Sequence, residues 1–312
     1  MSVTKMQTGF VEPAKDTRPL FIVYYKNLDR WLDSLTDAQQ NWVRDTALPP
    51  KAGTCIPLPN MDGHIGAAVL ITDKNLIWES ADAASRLPSG SWEADLTFSG
   101  DDDISKIQLG WGLAQYQFAP HRPEKNQDNK AQLALAKTER DRGICAQLKG
   151  IHIAREMINQ PANMMTPQGI EAAAKEIAQT YSAKVKVTKG KVLEGYAPAL
   201  HIVGRAAEIP PRLIDMSWGD EGPLITLVGK GISFDTGGLD IKPSRAMELM
   251  KKDMGGAAHV LGLAAALMEA GIKIRLRVLV AAAENAISER AMRPLDVIET
   301  AAGIAVEVGN ID

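Results

Sequence analysis

Short apolar segments alternate with helix-like segments along this chain, and this alternation constrains the fold more than any other feature of the sequence. In the second half, apolar runs bounded by turn residues predict strands over residues 185–187, 213–216, 224–228, 275–282 and 305–308. Helical spacing of apolar residues predicts helices over residues 257–269 and 295–302. Strands of nearly continuous apolar character are typical of a parallel sheet with both faces covered. We therefore expect an α/β fold.

The first third alternates in the same way. We predict strands over residues 20–25 and 66–72 and helices over residues 28–35, 80–87 and 104–117. The polar segment PHRPEKNQDNKAQ, residues 120–132, is the best candidate for a linker. A long helix follows over about residues 138–157. These patterns predict a small N-terminal α/β domain over residues 1–137 and a mainly parallel α/β/α domain over residues 138–312.

A further helix is predicted after residue 166. Thr166 is suited to cap this helix, and Pro167 to occupy its first turn. Its buried face is predicted to carry Ile170, Ala174 and Ile177.

The composition excludes several classes of protein. The net charge of −3 and the lack of a dense basic run argue against a nucleic-acid partner. Cys55 and Cys145 are too few for a disulfide framework, so we expect reduced thiols in a cytoplasmic protein. We find neither a signal-peptide pattern nor an apolar run long enough to span a membrane. His64 and His121 are isolated, which favours structural or exposed roles.

The glycine-rich stretch from residue 224 to 256 carries the candidate chemistry. We expect Lys230 at the carboxyl end of a strand, Asp235 in the loop that follows, and Asp253 at the start of a helix. Asp312 follows another predicted strand. Parallel strands bring such residues to one edge of the sheet. Carboxylates crowded in a cleft repel each other unless they are protonated or bind cations. The sequence therefore predicts a metal site, and its oxygen-rich donors suit Mn, Mg or Zn.

The two lysines, Lys230 and Lys242, leave two roles open. A bound cation favours a neutral amine, which can act as a ligand. A lysine that stays charged can instead stabilise an oxyanion. Sequence chemistry does not assign these roles, and each residue taken alone is more often a solvated loop residue. We interpret His259, on the predicted helix, as a packed core histidine.

Five segments carry a family resemblance. GKGISFDTGGLDIKP, MKKDMGGAA and the terminal NID resemble the leucyl aminopeptidase family (cytosol aminopeptidase, peptidase family M17). The family pattern runs GKG-x-x-FDTGG-x-x-x-KP, MK-x-DM-x-GAA and NTDAEGRL. REMINQPANMMTP and SERAMRPLDV are similar to two other family segments. The resemblance covers roughly residues 140–312.

The resemblance implies a two-metal aminopeptidase of the cytoplasm, with Mn or Zn as the ions. Lys230, Asp235, Asp253 and Asp312 would be metal ligands, with Asp235 bridging the ions and Lys230 binding through its neutral amine. Lys242 would stay charged and polarise the scissile carbonyl. A water held between the ions would attack that carbonyl. The substrates would be peptides with a free N-terminus, and the full-length protein would be a homo-hexamer.

The chain departs from the family pattern in three places. The family motif continues beyond the position of Asp312 with a bridging Glu and with an Arg that binds bicarbonate. Ile311 stands where the family has Thr, and Leu295 where it has Gly. We therefore expect an incomplete catalytic domain over residues 138–312, and little or no activity from the 312-residue chain itself. The alternatives are a non-catalytic DNA-binding accessory and a pseudoenzyme subunit that assembles with intact copies.

Overall fold

The structure is a computed structural model that describes residues 3, 8–46, 51–118, 130–135 and 138–309. Contacts divide the chain into two compact units, Gln7–Leu148 and Lys149–Asp312, and Val3 groups with the second. The division falls within the helix Glu139–Asn159. The boundary between residues 137 and 138 stays a prediction.

The first unit is built on a six-stranded sheet of order β1-β6-β5-β2-β4-β3, in which only the β3–β4 pair is antiparallel. Its strands are β1 Phe10–Val11, β2 Arg18–Tyr24, β3 Thr54–Pro59, β4 Ile65–Thr72, β5 Gly90–Phe98 and β6 Ala131–Ala134. Its helices are α1 Leu28–Leu32, α2 Asp37–Thr46, α3 Leu76–Arg86 and α4 Ile104–Gln115. The predicted α/β character of this region is confirmed.

Alternation along β2 explains why both faces of this sheet are covered. Leu20 and Ile22 are buried in one apolar cluster, which includes Trp111. Val23 is buried in a second cluster, with Trp31. Successive strand residues point to opposite faces, so one strand contributes to two cores.

The polar segment at residues 120–132 does not end the first unit. Residues 119–129 lie outside the described part of the chain. Ala131 and Gln132, however, belong to β6, which lies between β1 and β5 in the first sheet. The linker interpretation was therefore wrong for these two residues. A polar composition marks a connection, but it does not tell whether the next strand returns to the same sheet.

The second unit contains a four-stranded sheet of order β7-β8-β10-β9 and a hairpin of β11 and β12. The strands are β7 Lys184–Lys189, β8 Arg212–Trp218, β9 Leu224–Asp235, β10 Arg275–Asn285, β11 Val297–Glu299 and β12 Ala305–Glu307. The helices are α5 Glu139–Asn159, α6 Pro167–Tyr181, α7 Gly190–Tyr196, α8 Pro198–Gly204, α9 Ser244–Met247 and α10 Gly255–Glu269.

Strand direction differs from the expectation at β8. β9 and β10 are parallel, as predicted, but β8 pairs antiparallel with both β7 and β10. Only residues 219–223 join β8 to β9, and so short a connection reverses the chain rather than crossing over the sheet. The α/β fold class is confirmed, while the sheet is mixed because an apolar run does not encode its own direction.

Helix α6 begins as predicted. The Thr166 hydroxyl accepts a hydrogen bond from Gly169 N at 3.2 Å, and Pro167 lies in the first turn. Ile170, Ala174 and Ile177 are fully buried. The cap and the apolar spacing therefore specify the start and the buried face of this helix.

The helix predicted over residues 295–302 was wrong. The structure has the strand β11 there, paired with β12. Leu295 lies at φ 71°, outside helical space, and Thr300 N donates to Ile304 O at 2.9 Å to close a turn. The β-branched pair Val297 and Ile298 suits a strand, and the turn places a partner strand within reach.

None of the described helices is long and apolar enough to cross a membrane. Both cysteines are free thiols. Burial raises the pKa of the Cys55 thiol to about 12.

Candidate metal and catalytic site

Strand β9 is longer than predicted, which changes where Lys230 lies. The strand runs to Asp235, so Lys230 lies within it, opposite Ala281 of β10, rather than at its end. The glycines on either side of Lys230 would suggest a turn if only the sequence were known. In the structure they allow neighbouring atoms to pack closely against β9. A Cβ on Gly231 would lie 2.7 Å from Ala281 O, and one on Gly229 would lie 2.6 Å from Val260 Cγ2.

Asp235 is the last residue of β9 rather than a loop residue. The register shifts just before it, because Ile232 pairs with Ala283 whereas Asp235 pairs with Asn285. One extra residue of β9 is thereby inserted, and such a bulge redirects the side chains that follow it. Asp235 is 1% exposed, and its Oδ1 accepts hydrogen bonds from Asn285 Nδ2 at 2.8 Å and Gly237 N at 2.9 Å.

Lys242 pairs with the other oxygen of the same carboxylate. Its Nζ lies 2.9 Å from Asp235 Oδ2. Burial opposes ionisation of Asp235 most strongly, but hydrogen bonds from Lys242, Asn285 and Gly237 together lower the pKa of this carboxyl. The hydrogen bond to Asp235 raises the pKa of Lys242 above the usual lysine value. Both groups are therefore charged at neutral pH.

A tight loop brings Lys242 to this position. Lys242 N donates to Thr236 O at 2.9 Å, which closes the loop from residue 236 to 242. Gly237 lies at φ 87°, and a Cβ there would approach Asp240 O to 2.2 Å. Glycine is thus required at this position by both its conformation and the lack of space.

Asp253 forms the second lysine–carboxylate ion pair of the site. It lies in a 3₁₀ turn, Met250–Met254, directly before α10 rather than on the helix itself. Lys230 Nζ is 3.1 Å from Asp253 Oδ2. A Cβ on Gly256 would lie 2.9 Å from Lys230 N, so a glycine lets the first turn of α10 approach β9 closely.

One oxygen of Asp253 is incompletely satisfied. Oδ2 is buried and, among the described residues, has no hydrogen bond of normal geometry, although the Lys230 ammonium is near enough for an ion pair. The ion pair still holds the two groups together, because charge attraction tolerates poor angles. A buried carboxylate oxygen without a well-directed donor is costly, and a bound cation would satisfy it.

The structure brings together Lys242 with Asp235 and Lys230 with Asp253, while Asp312 lies outside the described residues. Among the residues described, no three His, Cys, Asp or Glu side chains are close enough to form a metal site by themselves. Two carboxylates and one amine remain as donors, and with the unsatisfied Asp253 Oδ2 they fit part of a cation site.

Asn285 is the functional candidate that sequence reasoning missed. It ends β10, is 1% exposed and bonds directly to Asp235. Its signal was an asparagine at the carboxyl end of an apolar strand, where ligand-binding residues of α/β sheets lie.

His259 was predicted to be a core residue, and this was wrong. It is exposed on α10, and its Nδ1 lies 2.6 Å from Gly255 O. The helical spacing that buries Ala258 and Leu261 turns His259 away from the sheet.

A cavity of about 70 Å³ lies beside Asp235 and Lys242 and is lined also by Met292 and Arg293. Pockets for drug-sized ligands are several times larger, about 300 Å³ or more. The cavity therefore has room for a few waters or ions.

Comparison with known proteins defines the class of this chain. The catalytic-domain profile of the cytosol aminopeptidase family matches residues 152–312, and the profile of the M17 aminopeptidase N-terminal domain matches residues 18–136. The chain therefore belongs to the cytosol aminopeptidase family, a family of peptidases.

Individual relatives agree with this assignment. A probable cytosol aminopeptidase of Synechococcus sp. (strain JA-3-3Ab) is 38% identical over 169 residues, which are 52% of this chain and 33% of the relative. The crystal structure of cytosol aminopeptidase from Coxiella burnetii is 38% identical, with a TM-score of 0.91, and the match covers 97% of this chain and 67% of that one. The bottromycin maturation enzyme BotP, in complex with Mn, is 25% identical with a TM-score of 0.80, covering 96% and 66%.

The chain spans less than two thirds of the length of the curated relatives that it matches.

Proposed function

We propose that this protein is a metal-dependent aminopeptidase that releases N-terminal amino acids, of the leucine type, from peptides. The observation that carries the proposal is the pair of carboxylates, Asp235 and Asp253, each held against a lysine on or just after β9. Both pairs lie within the segment that matches the family's catalytic domain.

The proposed ligands are Lys230, Asp235, Asp253 and Asp312. Asp253 Oδ2, which has no hydrogen-bond donor among the described residues, and the manganese in the related BotP structure support a divalent ion such as Mn or Zn at this site. When bound, two such ions would supply Lewis-acid activation of water and of the scissile carbonyl.

The chain's own residues would do the rest. The Lys242 ammonium, which Asp235 keeps protonated, would donate a hydrogen bond to the carbonyl oxygen and stabilise the negative charge that develops there. Asp235, fixed through Oδ1 by Asn285 and Gly237, would keep its second oxygen in one place. Asp253 would hold Lys230 against α10.

The remaining parts of the proposal rest on the family alone. The substrates would be peptides with a free N-terminus, the assembly of the full-length protein a homo-hexamer, and the location the cytoplasm, in keeping with the names of its relatives. Bicarbonate would take part where the family's arginine is present.

Metal binding by the 312-residue chain tests the ligand set. We expect Mn²⁺ to bind, as measured by electron paramagnetic resonance and titration calorimetry, and Asp253→Ala to abolish this binding. Asp215→Ala is the matched control, because Asp215 is paired with Arg277 at 2.7 Å in the same unit and is not among the proposed ligands. Binding by Asp253→Ala equal to that of the unmodified chain would refute the ligand assignment.

Turnover tests the reaction. A chimaera would join the last third of the Coxiella burnetii relative after residue 312, and a leucyl chromogenic substrate would report hydrolysis with Mn²⁺ or Zn²⁺. We expect metal-dependent release of the N-terminal residue and its loss in Lys242→Ala, with metal still bound. A folded, metal-loaded chimaera without turnover would favour the pseudoenzyme alternative.

A further inference from the structure

We propose that Asn285 is a positioning residue that orients the Asp235 carboxylate for metal binding. The inference rests on the proposed function and extends it to a residue outside the ligand set. Asn285 and Asp235 are each 1% exposed, and Asn285 Nδ2 donates to Asp235 Oδ1 at 2.8 Å. The hydrogen bond takes up Oδ1 and leaves Oδ2 directed at Lys242.

The backbone of Asn285 holds the same loop. Its carbonyl oxygen accepts two hydrogen bonds from Thr236, one from the amide N at 3.2 Å and one from Oγ1 at 2.7 Å. The Thr236 hydroxyl in turn accepts from Gly238 N at 3.0 Å. Asn285 therefore fixes both the side chain of Asp235 and the start of the loop that carries Lys242.

The chemistry of the amide matters, rather than its size. Leucine is branched at Cγ as asparagine is, but it donates no hydrogen bond and carries no charge. Asn285→Leu would remove the donor to Asp235 Oδ1 without adding a further carboxylate to the site. A residue that supports a metal ligand in this way typically changes metal affinity by about 10- to 100-fold when it is replaced.

Gly238 offers an independent way to disturb Asn285. It lies at φ 67°, and a Cβ there would be 3.0 Å from Asn285 Oδ1. Gly271 lies at φ 65° and would place its Cβ in open space. Gly238→Ala and Gly271→Ala thus introduce the same backbone strain, but only the former pushes against Asn285.

Mn²⁺ affinity of the 312-residue chain, measured by electron paramagnetic resonance, is the first readout. We expect affinity to fall about 10- to 100-fold in Asn285→Leu, to fall in Gly238→Ala, and to stay unchanged in Gly271→Ala, with circular dichroism showing a folded chain. Unchanged affinity in a folded Asn285→Leu chain would overturn the inference. Equal effects of the two glycine variants would also overturn it.

A metal-free readout separates this inference from the proposed function. The carboxamide protons of Asn285, assigned by their loss in Asn285→Leu or, if that variant does not fold, in Asn285→Ser, should shift in the NMR spectrum of Asp235→Ala and stay in place in Gly271→Ala. A chain that binds no Mn²⁺ but shows this shift would refute the metal proposal alone. Carboxamide signals that do not respond to Asp235→Ala would refute the positioning role.

Discussion

The two sheets of this protein use apolar strand residues in opposite ways. In the first unit β2 lies inside the sheet, and Leu20, Ile22 and Val23 are fully buried. In the second unit β9 lies at the edge of the four strands that the structure describes, and Leu224 and Val228 are 60% and 71% exposed, while Asp235 at its end is buried. Apolar content alone therefore does not report burial, and the buried charge, rather than the apolar run, marks the candidate site.

The comparison predicts that the first unit depends on apolar packing. Trp111 is fully buried, and its Nε1 donates to Ala131 O at 3.2 Å. We expect Trp111→Ala to lower the free energy of unfolding of this unit by about 3–5 kcal/mol. Urea unfolding followed by circular dichroism measures this effect. Trp78→Ala is the control, because Trp78 is 65% exposed, and a similar loss in both variants would contradict the prediction.

In the second unit, breaking a buried ion pair should lower the stability more than breaking an exposed one. Arg212 Nη1 lies 2.6 Å from Glu171 Oε2, with the two side chains 4% and 10% exposed. Arg212→Met leaves the Glu171 carboxylate with a single cation, Lys175, and we expect a loss of about 3 kcal/mol in unfolding free energy. Arg86→Met breaks a pair whose side chains are 68% and 41% exposed, and it should change stability little. Equal losses would contradict the contrast between buried and exposed pairs.

The same buried ion pair should make the stability of the second unit depend on pH in acid. Burial opposes ionisation of Glu171 most strongly, yet hydrogen bonds from Lys175 and Arg212 lower the pKa of this carboxyl below its usual value. In the unfolded chain Glu171 therefore becomes protonated first, as the pH falls through the ordinary glutamate pKa of about 4.3. The stabilisation that the ion pair gives the folded state is lost as the pH falls further, through the lower folded-state pKa.

Urea midpoints between neutral pH and acid measure this loss. Arg212→Met should lose less stability to acid than the unmodified chain, because part of the linkage is already absent. Parallel pH profiles for the two proteins would refute this account.

The smallest expected effect is a gain at Leu295. This residue lies at φ 71° and is 70% exposed. A left-handed conformation costs a non-glycine residue about 1 kcal/mol or somewhat more, so Leu295→Gly should stabilise the β11–β12 hairpin by a similar amount. Amide hydrogen exchange at Val308, whose N donates to Asp296 O at 2.8 Å, reports the change.

Leu249 provides the matched control for this substitution. It is 61% exposed but lies at φ −103°, so Leu249→Gly should bring no gain. Protection that increases in both variants would argue against relief of backbone strain.

Prediction from the sequence succeeded where local rules decide the structure. The capped start of α6 at Thr166 and the strand around Leu20 were both expected and are both present. It failed at residues 295–302, where helical spacing competed with β-branched content and the hairpin partner decided the outcome. It also placed Asp235 in a loop, because pairing with Asn285 across the sheet is invisible to a local pattern.

By itself the sequence determined the α/β class, the resemblance to aminopeptidases and the candidate residues Lys230, Asp235, Lys242 and Asp253. Those follow from spacing and from residue chemistry, which are local properties. Only the tertiary structure decided which lysine pairs with which aspartate, and that Asn285 holds Asp235. The physical reason is that these contacts come into existence only when β9 and β10 pair across 50 residues of sequence, with a bulge that sets the direction of the last side chain.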